Sequence, residues 1–204
     1  MVIASTLCCC SQRRRGNIHN QTNQIPLDMD SNAGASVKVI ETDRLLLRQL
    51  SLDDAEFILE LLNEPSFLQF IGDKGVRTLA DAREYIRRGP LASYELHGFG
   101  LYLTVLKEGH VSIGMCGLIK RASLPDVDIG FAFLPAYWSK GYALEAATAV
   151  LELGLRSHGL KRVVAITNPD NVTSIRLLEK LGLKYERLVR LAKDAPEISL
   201  YAFG

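Results

Sequence analysis

Long apolar stretches are missing from this 204-residue chain. A helix that crosses a bilayer needs ~20 consecutive apolar residues. No run approaches that length, so a transmembrane protein is excluded and a soluble one is expected. A surplus of charge is missing too: 24 Lys and Arg stand against 23 Asp and Glu, a formal net charge of +1. That balance provides no overall field to recruit nucleic acid or an anionic surface, so any anion site must be local. Cysteine is scarce. Of four, three are consecutive at Cys8, Cys9 and Cys10, and Cys116 stands alone in the rest, which excludes an extracellular disulfide framework and makes a cytoplasmic location the default. His97, His110 and His158 have no ligand-like spacing with cysteines or carboxylates, so no metal is expected.

What is present is ordinary globular composition, 48% hydrophobic and 23% charged, in a length that suits one domain. Residues 1–36 differ from the remainder: polar and rich in Asn, Gln, Ser and Gly, they read as a disordered leader. Cys8-Cys9-Cys10 followed by Arg13, Arg14 and Arg15 leaves three readings open: an S-acylation site beside a basic patch, an organelle-targeting peptide, or an unstructured tail. A secretory signal puts its positive charge before the apolar stretch, the reverse of this order, and Val2 lacks the glycine that N-myristoylation requires. Because the leader carries the surplus charge, the expected domain, residues 37–204, is formally neutral.

Within that domain the periodicity switches repeatedly between two and 3.6. Alternation predicts a first strand from Val37 to Arg48 with Leu45 and Leu47 on one face. Ser51 and Asp54 form a capping-box-like start to a helix with Phe57, Ile58, Leu61 and Leu62 as its stripe, stopped at Pro65. A second amphipathic helix runs from Leu79 to Arg88, before Gly89-Pro90. Gly100 to Leu106 and Val111 to Lys120 read as a hairpin, and Asp126 to Leu134 as a further strand. The longest helix is Ala143 to Ser157, then a strand at Arg162 to Thr167 and a helix from Val172 to Leu181 capped by Gly182. Strands near Lys184 to Arg190 and Ile198 to Phe203 close the chain. The order is mixed α/β, with loops at residues 63–74 and 91–99 that carry no recognisable code for an acceptor.

The chemistry-bearing stretch is a strand, a short turn and the long helix: Asp128-Ile129-Gly130-Phe131-Ala132-Phe133, then Trp138-Ser139-Lys140-Gly141-Tyr142-Ala143. A helix N-terminus offers unpaired N–H groups and partial positive charge, so a turn with Gly141 and small Ala143 can wrap phosphate oxygens. Lys140 either adds a charge-assisted contact or sits solvated, and Trp138 either packs under the turn or touches a ligand. The pattern is neither a Walker loop nor a dinucleotide fingerprint.

Trp138-Ser139-Lys140-Gly141-Tyr142-Ala143-Leu144-Glu145-Ala146 resembles the Trp-Gly-Lys-Gly-Tyr-Ala-x-Glu-Ala run of the RimJ and RimL branch of the GNAT superfamily of acyl-CoA N-acyltransferases. Trp138 replaces the Gln or Arg that opens the superfamily's usual pyrophosphate loop. Asp128-Ile129-Gly130-Phe131 is similar to the branch's Glu-Ile-Gly-Tyr strand, Thr42-Asp43-Arg44-Leu45-Leu46-Leu47-Arg48 to its opening strand, and the stretch from Asn171 through Ser174, Glu179 and Lys180 to Gly182 to its Asn-x-x-Ser-x-x-x-x-Glu-Lys-x-Gly segment. The resemblance implies a GNAT-like α/β fold with a mostly antiparallel sheet, splayed between the strands at Asp128 and Val163. It also implies acetyl-CoA as co-substrate and a primary amine, on a small molecule or a protein N-terminus, as acceptor. The turn from Trp138 to Ala143 would hold the pyrophosphate. The pantetheine would pair with backbone of Phe131, Ala132 and Phe133, with Asn171 on the other side. Asn171 read by itself is an N-cap.

Amine acylation by a thioester needs a neutral amine, a polarised carbonyl and a proton for the thiolate. An alkyl amine has a pKa near ~10.4, so a carboxylate must take its proton, directly or through water. Asp128 is the candidate base, with a solvated strand-end carboxylate or a substrate-binding one as the open alternatives; Glu197 is a second candidate, and Glu145 reads as structural. A backbone N–H near Phe133 would polarise the carbonyl. Leu178 stands where many superfamily members carry the tyrosine that protonates the thiolate, leaving Ser174 either to hydrogen-bond the sulfur or only to support the helix start. Cys116 has no base partner, so direct transfer is favoured over an acyl-cysteine. Two rivals stay open: a small-molecule acetyltransferase for amino sugars, polyamines or amine metabolites, and a non-catalytic acyl-CoA sensor. A nucleotide binder is a more remote third.

Overall fold

The computed structural model describes residues 37–204, so the readings made for the leader fall outside the described residues. Eight strands form one sheet in the order β1-β2-β3-β4-β5-β6-β8-β7. They are β1 (Lys38–Glu41), β2 (Leu45–Arg48), β3 (Leu101–Leu106), β4 (Val111–Lys120), β5 (Val127–Phe133), β6 (Val163–Thr167), β7 (Lys184–Val189) and β8 (Ile198–Phe203). Six helices flank them: α1 (Ala55–Asn63), α2 (Pro65–Phe70), α3 (Leu79–Ile86), α4 (Ala92–His97), α5 (Tyr142–Arg156) and α6 (Val172–Lys180). Every neighbouring pair is antiparallel except β5 and β6.

The opening segment is two strands. Thr42 accepts the turn, its N–H donating to Leu45 O at 2.9 Å, and the chain folds back so that β1 pairs antiparallel with β2. Leu45 and Leu47 do share the buried face, as their alternation requires. The second correction concerns Gly89-Pro90. A proline lacks an N–H and clashes with the preceding turn, which argued for a helix end at Arg88. Instead α3 widens into a π-helical turn over Arg87–Leu91, and α4 follows without a loop. The wider π turn absorbs the missing donor. Ser51 with Asp54 does make a capping box, over a short 3-10 turn that leads into α1, and Thr78 with Asp81 makes a second one at the start of α3.

Helices sit on both faces of the sheet. Ala146, Ala147, Val150 and Leu151 of α5 and Leu177 and Leu178 of α6 bury the face carrying Ile129, Phe131 and Phe133. Ile58, Leu61, Leu62, Phe67 and Ile86 of α1, α2 and α3 cover the other, which carries Leu103, Met115 and Ala132. Alternation on β5 thus sends Asp128, Gly130 and Ala132 toward α1–α3. No helix among the described residues is long and apolar enough to cross a membrane.

Candidate active site

The parallel pair β5 and β6 is joined at only two positions, Val127 with Val163 and Asp128 with Val164. Beyond Asp128 the strands part, and a gap opens toward the C-terminal end of β5. Which backbone groups line it follows from one hydrogen bond: Leu134 N–H donates to Ile113 O at 3.0 Å. Residue 134 therefore faces β4, as does residue 132, and the backbone of Phe131 and Phe133 faces the gap. The pairing of Phe131 to Phe133 with a ligand is thus narrowed to two of the three, because Ala132 spends its N–H and C=O on β4. Trp138 Nε1 donates to Phe133 O at 2.7 Å. What remains for a ligand is the Phe133 N–H and both backbone groups of Phe131. Buried backbone groups left without partners cost ~1–3 kcal/mol each, so an extended amide chain would be welcome there. Across the gap, level with Phe131 by register, Thr167 ends β6 with its Oγ1 buried and without a hydrogen-bond partner among the described residues. Nothing in the pattern of residues 162–167 signalled that hydroxyl.

At the mouth of the gap the turn before α5 is held in an uncommon shape. Ser139 and Gly141 both take left-handed conformations, φ 60° and 85°. The N-cap of α5 is Gly141, which offers no side-chain cap. The first N–H groups of a fifteen-residue helix are consequently open to a bound anion. Between this turn and α6 lies a cavity of about 450 Å3. Among the residues named from sequence, Phe133, Trp138, Ser139, Gly141, Tyr142 and Ala143 line it. Phe131, Ala132, Lys140 and Asn171 do not; Lys140 directs its Nζ over the Tyr137 ring, 5.5 Å from the centroid. The cavity also takes Arg176 and Lys180 from α6. Sequence reading missed this pair, although their i, i+4 spacing puts both on one helix face and supplies the local positive charge that a formally neutral domain needs.

The turn is clamped from behind. Glu145, in the first turn of α5, accepts from Thr42 Oγ1 at 2.5 Å, from Arg44 N–H at 3.0 Å and from Arg44 Nε at 2.7 Å. Arg44 Nη1 donates to Lys140 O at 3.0 Å, and its guanidinium lies 4.6 Å from the centroid of the Tyr142 ring. Two stretches that sequence reading treated as separate motifs are therefore one unit.

At the closed end of the gap Asp128 is wholly buried. Arg121 Nε donates to both carboxylate oxygens, at 2.9 and 3.0 Å. The reading of Asp128 as a solvated strand-end carboxylate is corrected: its side chain is fully buried and held by Arg121. Burial pushes its carboxyl up to about 6, against the opposing pull of Arg121. Glu197, just before β8, is exposed and pairs with Arg190 at 3.3 Å. Asn171 is the N-cap of α6, its Oδ1 accepting from Ser174 N–H at 3.2 Å, and Ser174 is buried in the first turn. Leu178 is packed in the core. Burial drives the Cys116 thiol well above its ordinary range, which removes it as a nucleophile. The loops expected at residues 63–74 and 91–99 hold α2 and α4 instead. The first reaches over the gap, where Asn168 Nδ2 donates to Phe70 O at 3.4 Å.

The acetyltransferase (GNAT) domain family matches residues 44–184. An uncharacterized N-acetyltransferase, YnaD, of Bacillus subtilis (strain 168) is 31% identical over 147 residues, 72% of this chain and 83% of that protein. Among solved structures, a GNAT-family acetyltransferase from Bacillus anthracis is 27% identical and superposes with a TM-score of 0.67 over 80% of this chain and 96% of its own. The ribosomal L7/L12 alpha-N-protein acetyltransferase RimL, solved in complex with coenzyme A, shares the fold at 16% identity, with a TM-score of 0.69 over 79% of this chain and 94% of that one. With the splayed β5 and β6, the glycine turn and the family match in agreement, the chain belongs to the GNAT acetyltransferase family and is an acyltransferase.

Proposed function

We propose that the protein moves an acetyl group from acetyl-CoA to a primary amine by direct attack. The observation that carries this reading is the parting of β5 from β6 beyond Asp128, beside a cavity that has a helix N-terminus on one wall and Arg176 and Lys180 on the other. The N–H groups at the start of α5, with Arg176 and Lys180, hold the pyrophosphate of the co-substrate. Phe131 and Phe133 hold the pantetheine amides through backbone, and Asn171 meets the same arm from the α6 side.

The Phe133 N–H then points at the thioester oxygen and stabilises the charge that develops on it. Asp128, ionised at neutral pH, takes the proton of the incoming ammonium. Because it is wholly buried, the proton crosses an intervening water. The amine nitrogen bonds to the carbonyl carbon, the carbon–sulfur bond breaks, and the second proton that the nitrogen sheds on becoming an amide passes to the departing thiolate, to which the Ser174 hydroxyl donates a hydrogen bond. Arg121 keeps Asp128 aligned.

Thermal shift with acetyl-CoA, paired with thiol release across a panel of amines, tests this. Stabilisation together with acceptor-dependent CoA release is expected. Stabilisation without release on any amine would favour a non-catalytic sensor, and the absence of both effects would overturn the proposal.

A further inference from the structure

The face of β5 that carries Asp128 looks toward α1–α3, away from the α5 and α6 face against which the cofactor cavity lies. An acceptor amine must reach the thioester from this side, so the groups around Arg121 decide which amines are admitted. Tyr85 of α3 and Lys74, just before α3, both lie within reach of the Arg121 charge. The Tyr85 hydroxyl is buried and has no hydrogen-bond partner among the described residues. A hydroxyl hidden from water in that way costs ~1–3 kcal/mol unless a bound water or a ligand completes it.

The charges nearby are one-sided. Acids on the surrounding elements are committed elsewhere: Glu84 of α3 to Arg87 and Arg88, Asp73 to Arg77, and Asp126, before β5, to Arg162 at 3.1 Å. Asp128 is bound on both oxygens by Arg121. Lys120, at the end of β4, adds its charge near Asp128 while its Nζ donates to Pro125 O. Burial pushes the Tyr85 phenol up to about 12, so it remains a donor at neutral pH. Burial and the Arg121 charge pull Lys74 down to about 8, which still leaves it mostly an ammonium. A hydroxyl donor and an ammonium inside the field of a guanidinium form a set of donors with net positive charge. A polyamine would be repelled by it.

We propose that the acceptor carries a carboxylate next to its amine, as an α-amino acid does, and that Tyr85 and Lys74 hold this carboxylate in the field of Arg121. The assignment rests on the acyltransfer reading above and names its substrate class. With the carboxylate on Tyr85 and Lys74, the ammonium lies on the Asp128 side, where its proton is taken. Tyr85 and Lys74 thereby determine specificity without taking part in the proton transfers.

The test uses the full chain and matched acceptors: amino acids against the corresponding amino acid amides and decarboxylated amines, with spermidine as a polycation, read as CoA release. Carboxylate acceptors are expected to exceed their decarboxylated partners at least tenfold in kcat/KM. In Tyr85→Phe that ratio falls toward one, while the KM for acetyl-CoA holds and the melting temperature is kept or raised, since the lost hydroxyl has no partner among the described residues. Lys74→Met is expected to act in the same direction. Equal or better use of decarboxylated amines or spermidine, or a ratio unmoved in both variants, overturns the proposal. A binding arm covers the absence of turnover: with CoA present, N-acetyl amino acids should stabilise the wild type more than their methyl esters do, and equal stabilisation overturns the assignment. Failure of the acyltransfer reading shows separately, as no stabilisation by acetyl-CoA or as stabilisation with no CoA release on any amine.

Discussion

Arg44 and Glu145 lie 101 residues apart in the chain, and the guanidinium Nε of one meets the carboxylate of the other at 2.7 Å. The contact ties the β1–β2 turn to the first turn of α5, and through Lys140 O to the turn before α5 that is proposed to hold the pyrophosphate. The Arg44 side chain is 46% exposed, so the ion pair alone stabilises by less than ~1 kcal/mol. The larger effect is on position. Glu145→Ala removes three hydrogen bonds at once and is expected to raise the KM for acetyl-CoA several-fold with a smaller change in kcat. Glu145→Gln retains acceptors for Thr42 and the Arg44 N–H and should lie in between. Initial rates at varied acetyl-CoA check the split; a fall in kcat at constant KM would count against a positioning role.

Asp128 carries a pH signature. With its carboxyl raised to about 6, the rate at saturating acceptor should fall as pH drops through 6, because the protonated form accepts nothing. Asp128→Asn is expected to lose ~10²–10³-fold in kcat and that acid limb with it. The stability sign is opposite to that of an ordinary paired carboxylate. A raised folded value means that folding takes up a proton between about 4 and 6, so the contribution of Asp128 to stability declines as pH rises through that window. The difference in melting temperature between wild type and Asp128→Asn should therefore shift in the variant's favour from pH 4 to pH 6.

Much of this site was legible before any coordinates, and what was not has physical causes. The β5 strand, the turn and α5 are local features, set by period, glycine and proline, and they appear within a residue or two of where the pattern places them. Arg121 was missed because its meaning depends on lying opposite Asp128 after β4 turns into β5, which spacing does not encode. In sequence Tyr85 is one more residue on the apolar side of an amphipathic helix; only the absence of a partner for its hydroxyl among the described residues separates it from the core. The same limit hid α4: Gly89-Pro90 reads as a stop, and only packing against β4 explains why the helix widens instead of ending.

Arg176 and Lys180 should act as a pair of cations toward phosphate. Arg176→Ala with Lys180→Ala is expected to weaken CoA about tenfold or more and to flatten the dependence of binding on salt, since fewer charge-assisted contacts remain to be screened. Titration calorimetry at two ionic strengths measures both. A full loss of affinity at both ionic strengths would point to a folding defect, which circular dichroism of the same sample reads directly.

Ser139 is the place where this chain is improvable. Its φ of 60° lies in the left-handed region, which costs a residue with a Cβ ~1–2 kcal/mol, whereas glycine adopts it freely. Glycine also loses more entropy on folding, ~0.5–1 kcal/mol, so the two effects oppose and the first is larger. Ser139→Gly is expected to raise stability by up to about 1 kcal/mol without weakening acetyl-CoA, because the turn keeps its shape. Gly141→Ala tests the converse: φ is 85°, and an added Cβ would lie 3.2 Å from Arg44 Nη2, so both the backbone and the Arg44–Glu145 clamp would have to yield. That variant should lose stability and raise the KM for acetyl-CoA together. Opposite signs at two positions two residues apart would show that the shape of the turn, more than its composition, is what binds the anion.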